Sequence, residues 1–153
     1  MMTTAPYILA LDISSTAVGL VFYHDGRVLD LAEWQLQGDI AERCKLAYNR
    51  FYAALERYPQ IDVLAIESPV LRFAGCIPQI RVSGAILTLA GQRNLPLGEV
   101  SPAQAKRALT GTGSASKQLM MAYAAVYGVC GEHASDALGV ALSALKRVEV
   151  VTV

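Results

Sequence analysis

The chain has 153 residues, 54% of them apolar and 17% charged, a balance that supports a sizeable core and excludes disorder. Its 13 basic and 13 acidic residues cancel to a formal net charge of zero, which on its face argues against a nucleic-acid partner. The opening Met1-Met2-Thr3-Thr4-Ala5-Pro6 lacks the basic-then-apolar plan of a signal peptide. The charge-free stretch from Gln118 to Gly131 is too short, and too broken by Tyr and Gly, to span a bilayer. Cys44, Cys76 and Cys130 show no CxxC spacing. One cytoplasmic domain over residues 1–153, with no membrane partner, is expected.

Residues 7–13, 17–23 and 27–36 read as three strands, joined at Ser14-Ser15-Thr16 and at the Asp25-Gly26 turn. Gly38 to Tyr58 reads as an amphipathic helix: Ile40, Cys44, Ala47, Phe51, Ala54 and Tyr58 recur at three- and four-residue spacing, and Pro59 stops it. Ile61 to Glu67 is a buried strand. A second long helix starts at Phe73 or Pro78 and ends near Arg93. Leu95 to Val100 is a short strand, and Ser101-Pro102 opens a helix to Leu109. Ser114 or Ser116 caps the next helix, which runs to about Tyr127, and the last covers Ala134 to Arg147. The stripe Leu119, Met120, Tyr123, Ala124 and Tyr127 reads as core. This order predicts an α/β fold. An antiparallel β1-β2-β3 meander plus two parallel strands makes a five-stranded mixed sheet, flanked by helices on both faces. The pattern fits an RNase H-like fold.

Thirteen acids must be sorted by their settings. Asp25, Asp30 and Asp62 flank turns or precede a strand, and Asp39 and Glu42 suit a helix start, so all read as solvated. Arg43 and Arg57 likewise read as solvated helix charges. Asp12 and Glu67 differ, because each lies on a strand of core residues, where an unpaired carboxylate is costly. Asp136 follows His133 by three residues at a helix start, which places both on one helix face. Phosphodiester hydrolysis requires a generated hydroxide and a stabilised leaving oxygen, and two hard cations held by a few carboxylates supply both. Asp12 then bridges two Mg²⁺ ions, with Mn²⁺ as a substitute, and Glu67 and Asp136 complete one shell each. His133 binds a metal or moves a proton.

The neutral total hides an asymmetry. From Ser68 to Gly131 six basic residues (Arg72, Arg81, Arg93, Lys106, Arg107, Lys117) accompany the single acid Glu99, a segment charge of +5. The run Gly111-Thr112-Gly113-Ser114-Ala115-Ser116-Lys117 either sets backbone N–H groups and a lysine against a phosphate or is a serine-capped helix connector; it is not a Walker loop. Residues from Ile77 to Ala90 are apolar on more than one helix face, as in a helix buried on two sides.

Together these blocks resemble the RuvC family of Holliday-junction resolvases over nearly the whole chain. The residues that carry the resemblance are the Leu11-Asp12 strand with Gly19; Ala65-Ile66-Glu67; Lys106 with Gly111 to Lys117; and His133-Ala134-Ser135-Asp136-Ala137-Leu138. The resemblance implies a dimeric RNase H-like endonuclease that nicks two strands of a four-way DNA junction. It implies that Asp12, Glu67, His133 and Asp136 form the catalytic metal site, His133 standing where the family has Asp or His. Lys106 and Lys117 match the family's basic positions, and Arg72, Arg81, Arg107, Ser114 and Ser116 join them as DNA-binding candidates. It also implies that the helix from Ile77 is the dimer interface, and a branch-migration helicase is a candidate partner. Two departures stand out: Ile13-Ser14-Ser15 follows the first aspartate, where many members have Pro-Gly-Ser, and Val70 occupies the place of the usual aromatic wedge, leaving Phe73 or Leu71 as wedge candidates. The competing readings are an RNase H-fold nuclease acting on RNA or RNA–DNA hybrid, a non-catalytic junction-binding module, and a nucleotide-binding domain of the actin and sugar-kinase type.

Overall fold

The computed structural model describes residues 4–58, 60–69 and 74–151. Its elements are β1 (Ile8–Ile13), β2 (Ala17–His24), β3 (Arg27–Gln35), α1 (Ile40–Arg57), β4 (Val63–Glu67), α2 (Ile77–Gln92), β5 (Leu97–Val100), α3 (Pro102–Thr110), α4 (Lys117–Ala125) and α5 (Glu132–Val151). The strands form one sheet in the order β3-β2-β1-β4-β5. β1 and β3 run antiparallel to β2, while β4 runs parallel to both β1 and β5. This is the predicted mixed sheet.

Period-two alternation sorts the side chains between two cores. Leu9, Leu11 and Ile13 of β1 and Leu64 and Ile66 of β4 join the layer beneath α1 and α2. Ile8 and Ala10 of β1, Val21 of β2 and Ala65 of β4 join the opposite layer, with Ala105, Met120 and Leu138 from α3, α4 and α5. Asp12 and Glu67 continue the second series, so both carboxylates fall on the α5 face of the sheet, at the ends of parallel neighbours. The chain that enters as apolar alternation therefore delivers two acids to one edge.

Local signals account for the helix boundaries. Asp39 and Glu42 form a reciprocal capping box at α1, and Ser101 and Gln104 form another at α3 with Pro102 in its first turn. Of the two serines proposed to cap α4, Ser116 does so, accepting the Leu119 N–H at 3.1 Å. A single 3₁₀ turn, Ala74–Cys76, leads into α2. α5 starts two residues earlier than the sequence suggests and extends to Val151.

Several sequence expectations need correction. Asp30 is not simply solvated: it accepts from the Tyr58 hydroxyl and pairs with Arg57 at 3.0 Å. Arg43 is not a free helix charge either. Its guanidinium donates to the carbonyls of Gly38 at 2.8 Å and Ser15 at 3.3 Å, bracing the turn that follows Asp12. Within that turn Ser14 Oγ accepts the Ala17 N–H at 2.9 Å, so the turn after Asp12 is closed by a serine. On α4 only Met120 and Ala124 enter the core, while Leu119, Tyr123 and Tyr127 are exposed, because the helix ends at Ala125 and its one inward stripe packs on α5.

Candidate active site

Three elements converge at the end of β1. Asp12 is 7% exposed, and its Oδ2 lies 3.1 Å from His133 Nδ1. A carboxylate only accepts, so the imidazole N–H donates. That bond raises the His133 pKa above its ordinary value, against the opposing effect of burial. Glu67 ends β4 and Asp136 stands one turn into α5, on the face His133 occupies. Burial, then the charges of Asp12 and Asp136, push the Glu67 carboxyl up to about 8. Burial, then the Asp12 charge, push Asp136 up to about 6. Three acids therefore share a site too small and dry for all to ionise without a counter-charge.

The sheet supplies the seat for α5. Asp12 pairs in register with Gly19, and Gly19 with Glu33, giving a row across β1, β2 and β3. A Cβ at Gly19 would collide with the carbonyl group of His133. Glycine at this position lets the first turn of α5 lie directly on the sheet, which brings the His133 ring down to Asp12. On the far side of Gly19, Glu33 Oε1 accepts the Ala134 N–H at 3.0 Å. Sequence reasoning missed Glu33. Alternation on β3 puts it on the face of Leu31, but only the register with Gly19 reveals what it meets.

Beside the carboxylates lies a cleft of about 380 Å³, lined by Glu67, Lys106, Ser116, Lys117 and Asp136 among others. Lys106 on α3 lowers the pKa of both Glu67 and Asp136 in part, as a nearby positive charge must. Lys117 is exposed at the N-terminus of α4 and pairs with Glu132 of α5 at 2.5 Å. Asp12 is bonded to His133, its charge is felt by Glu67 and Asp136, and Lys106, Ser116 and Lys117 line the cleft with the last two acids. Arg107, Ser114 and Arg81 are exposed and do not line the cleft: the Arg107 guanidinium lies by Gly113, and Ser114 bonds the Thr112 hydroxyl at 3.1 Å. Arg72 and the wedge candidates Leu71 and Phe73 lie outside the described residues.

Among the described residues no three His, Cys, Asp or Glu side chains come close enough together to hold a metal ion as they stand. The donor set nevertheless suits a hard divalent cation: carboxylate oxygens, raised pKa values from mutual repulsion, and adjacent open volume. The His133–Asp12 bond holds one of these carboxylates.

Comparison with known proteins bears on the family of this chain. The family model described as "Crossover junction endodeoxyribonuclease RuvC" matches residues 13–144, beginning one residue after Asp12. The chain is 29% identical to the crossover junction endodeoxyribonuclease RuvC of Delftia acidovorans over 89% of this chain and 82% of that one. Identity to the protein of the same description from Pelodictyon phaeoclathratiforme is 34%, over 70% of this chain and 59% of that one. The fold superposes on Thermus thermophilus RuvC in complex with Holliday junction substrate with a TM-score of 0.81 at 22% identity, covering 96% and 97% of the two chains. With most of its length matched by that model and its strands and helices in the same arrangement, the chain belongs to the crossover junction endodeoxyribonuclease RuvC family.

Proposed function

We propose that this protein is a structure-selective DNA endonuclease that resolves four-way junctions by paired symmetric nicks, working as a single domain in a cytoplasmic homodimer. The observation that carries the reading is the convergence of Asp12, Glu67, His133 and Asp136 beside a cleft walled by Lys106 and Lys117. Acids and lysines side by side answer the two demands of a phosphodiester: a cation site for hydrolysis and positive charge for the flanking backbone.

Asp12, Glu67, Asp136 and His133 would hold the metal ions, Mg²⁺ in the first place with Mn²⁺ as a substitute. Bound there, divalent cations would neutralise the phosphate and the departing oxygen. Lys117 and Lys106 bind the phosphates on either side of the scissile bond as point charges, and the Ser116-capped start of α4 offers N–H groups to the same strand. His133 holds a proton on Nδ1 against the Asp12 carboxylate.

A dimer matches the two-fold symmetry of a four-way junction. The outward face of α2 supports it: Ile77 is 47% and Ile80 39% exposed, while Val82, Ile86 and Leu89 fill the core. Phe73 or Leu71 is the proposed junction wedge. A branch-migration helicase is the further partner proposed.

The decisive experiment is strand-by-strand mapping of cuts in a fixed and a mobile four-way junction with Mg²⁺, beside an RNA–DNA hybrid and a linear duplex. Paired nicks at symmetric positions in the junctions are expected. Cleavage of the hybrid in preference to the junction would overturn the substrate assignment, and binding without cleavage in either metal would overturn the enzyme.

A further inference from the structure

Glu33 lies on β3, two strands away from Asp12, yet it reaches the same helix end. Its Oε1 accepts the Ala134 N–H, one of the first-turn N–H groups that have no partner within a helix. It also fills a slot beside Gly131, where a Cβ would collide with the carboxylate. Ser135 secures the same turn from inside, its Oγ and N–H bonding the Gly131 carbonyl at 2.6 and 3.0 Å. The first turn of α5 is therefore held at three points. Asp12 takes the His133 side chain, Gly19 takes the His133 backbone, and Glu33 takes the Ala134 N–H. Asp12, Gly19 and Glu33 form one register row, so the sheet itself sets the spacing of these points. A carboxylate at a helix N-terminus is favourably placed for the helix dipole as well.

We propose that Glu33 is a positioning residue, which fixes the first turn of α5 so that His133 and Asp136 face Asp12 and Glu67. The inference rests on the proposed metal role of His133 and Asp136, and it goes beyond that role by assigning a function to a residue outside the four proposed ligands. Without Glu33 the turn keeps its hold on Asp12 but pivots about Gly19, and the separation of Asp136 from Glu67 is no longer set.

The test compares Glu33→Ala and Glu33→Gln in the full chain. Hydrogen exchange at the Ala134 and Ser135 amides reports the turn, and titration with Mn²⁺ followed by electron paramagnetic resonance reports the site without any cleavage. Glu33→Ala should speed exchange at both amides and weaken Mn²⁺ binding about tenfold, the scale of lost outer-shell support. Glu33→Gln retains an accepting oxygen and should restore both. Unchanged exchange and Mn²⁺ affinity in Glu33→Ala would overturn the proposal. So would a fall in melting temperature with Mn²⁺ affinity intact, which marks a purely structural residue, or equal losses in both variants, which would assign the effect to charge. A wild-type protein that binds Mn²⁺ but leaves four-way junctions uncut would sink the junction reading alone, and the Glu33 comparison would still be decided by exchange and Mn²⁺.

Discussion

Asp12 and His133 are 121 residues apart in the chain and 3.1 Å apart in the fold, bonded from Oδ2 to Nδ1. The bond lessens the cost of a nearly buried carboxylate in an apolar strand, since it gives Asp12 a hydrogen-bond donor. It also ties the strand that carries one acid to the helix that carries another.

From this follows an ordering of mutant effects. Asp12→Asn, Glu67→Gln and Asp136→Asn should each reduce junction cleavage by more than about a hundredfold, beyond what loss of outer-shell support costs. Junction binding should persist in a gel-shift assay, because Lys106 and Lys117 are untouched. His133→Ala should be milder and His133→Asp milder still, as an oxygen ligand replaces the ring. Full activity in any of the three carboxylate variants with Mg²⁺ would remove that residue from the site.

The raised acids set a pH dependence. Glu67 is at about 8 and Asp136 at about 6, against ordinary values of 4.5 and 3.8. Folded values above unfolded ones mean that the fold prefers these groups protonated. Their stabilising contribution is full below the ordinary values and is lost as pH rises through 6 and then 8. Divalent cations prefer the ionised carboxylates, so binding must expel protons. The metal-free melting temperature should fall between about pH 4 and pH 8, while the Mg²⁺-induced rise in melting temperature grows. Calorimetry in buffers of different ionisation enthalpy near neutrality should register proton release on Mg²⁺ binding. A pH-independent Mg²⁺ response would contradict the crowding of Glu67.

Much of this site was legible in the sequence because charge in an apolar strand is a strong signal. Their apolar strands singled out Asp12 and Glu67, and the three-residue step put His133 and Asp136 on one helix face, while the common face of the two strand acids needed the β1–β4 register. What was not legible depended on contacts between distant segments. Glu33 is an exposed acid in the structure too, and only the β2–β3 register, which sets it beside Gly19, brings out its bond to the Ala134 N–H. Arg43 reads as a helix charge until α1 packs near the Ser14-Ser15 turn. Leu119 and Tyr127 have core chemistry, but where α4 ends and which way it faces decide their exposure. Local propensity carries the elements; side-chain partners across the sheet need the topology.

Gly19→Ala tests the seat of α5 directly. The added methyl meets the His133 carbonyl group, which belongs to the helix backbone and cannot swing aside. Overpacking of this kind costs about 1–3 kcal/mol, a melting-temperature drop of roughly 2–10 °C. Because α5 must lift, Mn²⁺ affinity should fall as well. A variant with unchanged melting and unchanged affinity would show that α5 does not rest on β2.

Lys106→Ala and Lys117→Ala should weaken junction binding across sequences alike. Each should reduce the slope of log affinity against log salt by about 1, as expected for a lost phosphate contact. Loss of the exposed Lys117–Glu132 pair adds little to stability, so melting should barely move. Arg107→Ala, by contrast, should leave the salt slope unchanged, since Arg107 lies outside the cleft.

Ile80→Asp addresses the pairing of subunits. Ile80 is 39% exposed beside Ile77 on α2, opposite the core-facing Val82, Ile86 and Leu89. A charge there has little to disturb inside one subunit, but it would be desolvated against its own copy across a two-fold axis. Sedimentation should show the wild type as a dimer and the variant as a monomer with a near-normal melting temperature. The variant should still hold Mn²⁺, because none of the four site residues is on α2. Its cuts in a four-way junction should become single and uncoordinated, so that nicked junctions accumulate in place of resolved duplexes. A dimeric Ile80→Asp protein that still makes paired nicks would move the interface to another face.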